Sequence, residues 1–187
     1  MKRSLSKALA IASVATLPSM GAIASDGTIT FAGTVTDSTC SINGVANGTA
    51  SDLSVVLPTV SAGSLPATGA TAGTSKPSDI HFSLTGCTGA ATKVVARFEN
   101  GPNVDQTTGN LMNQASSGAA TNVQVQLLNG VMQPINITTN TNNQAATNGA
   151  TIASGNAVLT YYARYYATGA ATAGAVSTSV QYTMDYQ

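Results

Sequence analysis

A single histidine, seven carboxylates and two cysteines make up most of the reactive side chains in this 187-residue chain. His81 stands in the alternating stretch Ile80-His81-Phe82 at the polar parity, so it reads as an outward strand position and not as a general base. Asp79, Glu99 and Asp105 are candidates for paired carboxylates, but their spacing sets no two of them on a common site. No serine lies in a nucleophile motif and no glycine-rich loop precedes a helix; one histidine cannot assemble a zinc site when both cysteines are committed to a bridge. The run Tyr161-Tyr162-Ala163-Arg164-Tyr165-Tyr166 resembles a sugar-stacking platform at first sight. At a period of two, however, Tyr161 and Tyr165 face one way and Tyr162 and Tyr166 the other, which describes a strand with one buried and one exposed face. The expectation is a chain that is no enzyme, with no catalytic residue, cofactor or metal.

Cys40 and Cys87 acquire a meaning from the start of the chain. Lys2, Arg3 and Lys7 precede an apolar run from Ala8 to Leu17, followed by Ala22-Ile23-Ala24 in the small-x-small pattern of a cleavage site. Residues 1–24 read as an export signal removed after Ala24; the run is too short to span a bilayer. An exported chain meets oxidising conditions, and an even pair of cysteines then reads as one disulfide. The mature chain, Ser25 to Gln187, is the length of one ordinary domain. It keeps four basic residues, Lys76, Lys93, Arg97 and Arg164, against seven acidic ones, a formal charge of −3. Nucleic acid, which needs a dense basic patch, is not an expected partner. So few charges leave a surface of neutral polar groups, as on a protein covered by copies of itself or standing outside the cell.

The elements that would position these residues are strands. Apolar residues alternate in 54–60, 79–84, 93–99 and 122–128, and further strands are expected at 135–138, 157–167 and 175–186. Asn129-Gly130 between 123–128 and 131–135 is the strongest hairpin signal. Segments 64–77 and 140–151 read as loops, and no helix is expected beyond the export signal. The architecture that follows is an all-β sandwich.

Both ends of the mature chain carry unusual strands. In TITFAGTVTD, residues 28–37, Ile29, Phe31 and Val35 share a face with Gly33, and a glycine inside a strand marks a close approach by another group. In the last stretch Val176, Thr178, Val180, Tyr182, Met184 and Tyr186 share a face that runs to the chain's end. Four features together resemble subunits of chaperone-usher pili: the alternating extension with its internal glycine before Cys40, Cys87 after an apolar strand (HFSLTGC), Gly174 fourteen residues from the C-terminus, and the penultimate Tyr186.

The resemblance implies an incomplete immunoglobulin-like β-sandwich, residues 39–187, that lacks its last strand, preceded by a donor-strand extension at 25–38. It implies a groove beside the last strand, with Val176, Val180, Tyr182, Met184 and Tyr186 on the acceptor side and Gly174 and Tyr186 in a chaperone-recognition motif. A periplasmic chaperone would lend the missing strand first. Ile29, Phe31, Gly33 and Val35 of the next identical subunit would then replace it, the strand-addition mode known for chaperone and pilin. Head-to-tail contacts of this kind do not close, so they build a filament, here a surface fimbria reached through the periplasm and an outer-membrane usher and supporting cell adhesion. One domain with an extension fits a shaft subunit better than a tip adhesin or a chain terminator. The alternative is a monomeric secreted sandwich, for instance a carbohydrate-binding module, which would be stable without an added strand.

Overall fold

The computed structural model describes residues 29–33, 35 and 37–187. The export signal, its cleavage point, and Thr28, Thr34 and Thr36 lie outside the described residues. Residues up to Thr34 form one unit and Val35 to Gln187 a second. In the first unit residues 29–33 carry no strand ladder, and Ile29 and Phe31 are 81% and 90% exposed.

The second unit is a two-layer antiparallel sandwich. One sheet takes the order β1 (Thr39–Ile42), β3 (Ile80–Thr88), β8 (Ala157–Ala167), β6 (Val123–Leu128), β5 (Leu111–Met112), with the short β2 (Thr71–Ala72) also paired to β8. The other takes the order β7 (Ala150–Thr151), β4 (Lys93–Phe98), β9 (Tyr182–Tyr186). Inward residues at alternate positions bury the space between them: Phe82 and Leu84 from β3, Val94, Ala96 and Phe98 from β4, Leu159 and Tyr161 from β8. Tyr161 stands at the centre, edge-on to Phe98 at 5.1 Å and to Phe82 at 6.1 Å between ring centroids. The Cys40–Cys87 disulfide fastens β1 to β3.

Several expectations shift. Segment 140–151 is not all loop: it holds the short helix α1 (Ala145–Asn148) and β7, and α1 packs against β4, where Val95 is buried together with Val94 and Ala96. Segment 64–77 contributes β2. The chain does reverse at Asn129-Gly130, but not in a two-residue turn. The Asn129 side chain accepts hydrogen bonds from the N–H groups of Val131 and Gln133, widening the turn, and the left-handed residue is Met132. Gly130 serves a different need: a Cβ there would lie 3.2 Å from the Thr160 carbonyl oxygen. Residues 135–138 form no strand: the segment has an isolated bridge at Asn136 and another just before it at Pro134. Segments 54–60 and 176–181, both expected as strands, belong to no ladder.

Candidate functional site

Those two unladdered segments are the feature from which the site is built. Val55 and Leu57 are half-buried against the core while Val56 between them is 84% exposed, the alternation of a strand. On the other side Val176, Val180, Tyr182, Met184 and Tyr186 are half-buried against the same core, and Ser177, Ser179, Gln181 and Thr183 are exposed. Both segments therefore have the side-chain pattern of strands and lack a strand partner.

Hydrogen bonding locates the missing partner. Lys93 and Gln187 exchange both main-chain bonds at 2.8 and 2.9 Å, so the alternation of an antiparallel ladder makes 95:185, 97:183 and 99:181 the other bonded pairs. The Glu99 N–H indeed donates to the Gln181 carbonyl at 2.9 Å. Further up, the Ser179 carbonyl accepts from the Asn103 amide, Ser177 is bonded by Asn113 and Gln114, and Ala175 by Gly118 and Ala120. Every odd residue from 175 to 187 thus has at least one main-chain group bonded on one side of the segment. The main-chain groups of Val176, Thr178, Val180, Tyr182, Met184 and Tyr186 point the opposite way. Residues 52–60 make no main-chain hydrogen bond among the described residues either. A ladder between the two segments would need a spacing of about 4.8 Å, and no ladder or bridge joins them among the described residues.

The walls of this furrow run antiparallel and are tied through tyrosine side chains at two levels. The Cys40 main chain hydrogen-bonds to the Tyr186 hydroxyl. The Tyr182 hydroxyl donates to the Ser51 carbonyl at 2.6 Å, its ring 4.8 Å from that of Phe82. At the far end a cavity of about 300 Å³ opens between Val60, Leu65, Ala120, Val123, Tyr165 and Val176. Burial pushes the phenols of Tyr165, Tyr182 and Tyr186 above the usual value. Thr178, between Val176 and Val180, holds the one buried side-chain oxygen among the described residues that lacks a hydrogen-bond partner.

Gly174 has a local reason to be glycine. A Cβ there would meet the Ala120 nitrogen at 2.4 Å and the Gly118 oxygen at 2.6 Å, where the chain crosses residues 118–120. A Cβ at Gly33 meets nothing within 4 Å, so the subunit itself supplies no reason for that glycine. Sequence reasoning missed the second wall, Val55, Leu57 and Val60, and the tie at Ser51. The alternation in SVVLPTV was visible, but it read as an ordinary core strand. The groups considered for catalysis stay apart. His81 sits on an outward position of β3 with Thr160 Oγ1 3.5 Å from its Nδ1; Asp79 accepts from the Lys76 N–H, Glu99 from the Thr183 hydroxyl, and Asp105 from Thr107, Thr108 and Gln124.

Comparison with known proteins agrees with this geometry. Residues 57–187 match the family model of the type-1 fimbrial protein, A. The chain is 47% identical over 173 residues to the major fimbrial subunit SMF-1 of Stenotrophomonas maltophilia, covering 89% of this chain and 96% of that one. It is 44% identical over 180 residues to the F17 fimbrial protein of Escherichia coli, covering 93% and 94%. Among solved structures, a chaperone-usher pilus studied for the uncoiling of its rod superimposes with a TM-score of 0.57 at 25% identity, over 93% of this chain and all of that one. The P pilus rod subunit PapA shares the fold, with a TM-score of 0.50 at 24% identity over 86% of this chain and all of that one. The fold is the incomplete immunoglobulin-like sandwich of pilins, and the self-complete binding module is not favoured. The chain belongs to the type-1 fimbrial protein A family, as a structural subunit of a chaperone-usher pilus.

Proposed function

We propose that this subunit polymerises by donor-strand exchange, with residues 25–38 of one copy entering the furrow of the next. The observation that carries the reading is the parity of hydrogen bonds along 175–187: odd residues are bonded within the subunit, and even ones offer their main-chain groups to the furrow. A strand laid between the walls pairs with both, each at the ordinary spacing of about 4.8 Å. It runs antiparallel to 176–186, as the last strand of an immunoglobulin sheet does. Ile29, Phe31 and Val35, which are 81%, 90% and 100% exposed, are the side chains to be buried. At roughly 1.5–3 kcal/mol for each, they supply an apolar drive on top of the main-chain bonds. Gly33 is then needed for the neighbour's furrow rather than for its own subunit.

Before that exchange an exposed furrow is an aggregation hazard, since it joins unpaired edges to apolar surface. A periplasmic chaperone strand occupies it first, reading Gly174 and Tyr186 at the end of the chain, and the outer-membrane usher is where one strand replaces the other. The export signal at 1–24 delivers the chain to the periplasm, and the fibre forms on the cell surface, where it supports adhesion. The partners are identical subunits, chaperone and usher, and the chemistry is assembly without a bond made or broken. Gel mobility of the assembled protein with and without boiling tests this. The expected result is a ladder of polymers that collapses to monomer only on heating, and no ladder from a chain trimmed of residues 25–37. A trimmed chain that still forms heat-sensitive polymers would refute the assignment of the donor.

A further inference from the structure

Residues 52–60, the second wall of the furrow, have no main-chain hydrogen bond among the described residues to hold them in place. At one end the wall is secured by the turn in which the Ser64 N–H donates to the Ser61 carbonyl. At the other the tie to the opposite wall among the described residues is the Tyr182 hydroxyl on the Ser51 carbonyl, at 2.6 Å, with Ser51 itself buried. One level further on, the Tyr186 hydroxyl is bonded to the main chain of Cys40, whose disulfide secures it to β3. The two rings lie on the core-facing side of the segment, beneath the place of an inserted strand, and their hydroxyls reach Ser51, at the start of the other wall, and Cys40 of β1.

We propose that Tyr182 and Tyr186 are struts: their hydroxyls fix the second wall at the distance that one strand requires, so that the empty furrow is neither closed by direct pairing of its walls nor free to splay. The role rests on the furrow being a strand-receiving site. Tyrosine suits it because the ring packs in the apolar floor while the tip carries a hydroxyl that bonds main chain, donating to the Ser51 carbonyl from Tyr182 and accepting from the Cys40 N–H at Tyr186. Phenylalanine would keep the floor and lose the tie. These are positioning residues, since the incoming strand bonds to main chain and not to the hydroxyls.

Wall separation is measured on the full chain in its monomeric form, with spin labels on cysteines introduced at the exposed Val56 and Ser179, which lie on opposite walls. Double electron–electron resonance is expected to give one narrow distance for the parent. Y182F broadens that distribution, and Y182F with Y186F broadens it more. Should Y182F fail to fold, Y186F alone gives the same readout. An identical distribution in parent and variants overturns the strut role. Uptake of a labelled peptide of residues 25–38 is followed in parallel. It should weaken about two- to twelvefold in Y182F, the span of one lost neutral hydrogen bond. A peptide that the parent itself does not take up would refute the strand-receiving furrow, whereas the label distances judge the struts on their own.

Discussion

Gly174 and Gly33 are the two glycines of the end motifs, and substituting each separates a packing requirement from an assembly requirement. In G174A the new Cβ meets only main chain: the Ala120 nitrogen at 2.4 Å, the Ala119 carbonyl carbon at 2.6 Å and the Gly118 oxygen at 2.6 Å. No side chain can move aside, so residues 118–120 and 174–175 must part. That separation strains the bonds from the Ala120 N–H to the Ala175 carbonyl, 2.9 Å, and from the Ala175 N–H to the Gly118 carbonyl, 2.7 Å. Overpacking of this kind costs about 1–3 kcal/mol, and each weakened bond adds about 0.5–1.5 kcal/mol. A loss near 3 kcal/mol lowers the melting temperature of a domain this size by roughly 6–12 °C. Thermal unfolding followed by circular dichroism measures it. G33L should leave the melting temperature of the isolated subunit where it was and abolish the heat-sensitive polymer ladder. A G174A midpoint within about 2 °C of the parent would refute the steric argument, for a clash with three main-chain atoms cannot be absorbed that cheaply. A normal ladder from G33L would refute the assignment of Gly33 to a neighbour's furrow.

Replacing Cys40 and Cys87 by serine removes a link across a sequence separation of 47, worth about 4 kcal/mol in the chain-entropy estimate, and urea unfolding should show a midpoint lowered accordingly. Alkali should act through the tyrosines. Burial raises the phenols of Tyr161, Tyr165, Tyr182 and Tyr186 above 10.0, so the folded state holds their protons longer than the unfolded one. The stability they contribute is complete below pH 10 and falls as the pH rises beyond it, which unfolding midpoints between pH 8 and about pH 12 will follow. Acid acts on Asp105 with the opposite sign. The Thr107 N–H holds its carboxyl below 3.8, so its contribution is present above that value and is lost as the pH falls through it, as midpoints in an acid series compared with D105N will show.

How far the sequence could be read depended on whether a residue's partner lies nearby in the same chain. The strand at 157–167 was legible to the residue because its alternation is unbroken and both its edges are paired. Residues 54–60 and 176–181 carry the same alternation, but nothing in a strand's own pattern says whether another strand lies beside it. Only the hydrogen-bond count shows that they have none. Gln124 and Gln126 of β6 read as an outward polar row, yet both are buried: Gln124 accepts from Thr108 and Asn110 and donates to Asp105, and Gln126 donates to Asn110 and accepts twice from Arg164. A loop brought over that face by the fold, with Arg164 of β8 beside Gln126, satisfies them, and no periodicity announces it. Gly174 was singled out as a recognition residue, while its contact with 118–120 depends on a crossing that the sequence does not reveal.

The three-stranded sheet has two edges, and they differ in what they leave open to a further strand. Along β4 the odd residues bond to β9, so Val94 and Ala96 offer their main-chain groups to the far edge. β7 pairs with Lys93 and Val94 and then stops. Beyond it Ala96 is closed by side chains: its N–H donates to the Tyr161 hydroxyl at 3.0 Å, and its carbonyl accepts from the Asn143 amide at 2.9 Å. Tyr161 in turn donates to Asn143 Oδ1 at 3.2 Å, so the three groups form one satisfied unit, with Asn143 fully buried. Y161F strands the Ala96 N–H and the Asn143 oxygen, and N143A strands the Ala96 carbonyl and the Tyr161 hydroxyl. Each loss should cost about 2–6 kcal/mol, from two buried groups left unpaired at about 1–3 kcal/mol each. Because both substitutions break the same unit, the double variant should be less destabilised than the sum of the singles by about 1 kcal/mol or more in a urea-unfolding cycle. Strictly additive losses would mean that Tyr161 and Asn143 stabilise β4 independently, and the far edge would then have to be kept from accepting a strand by some other means.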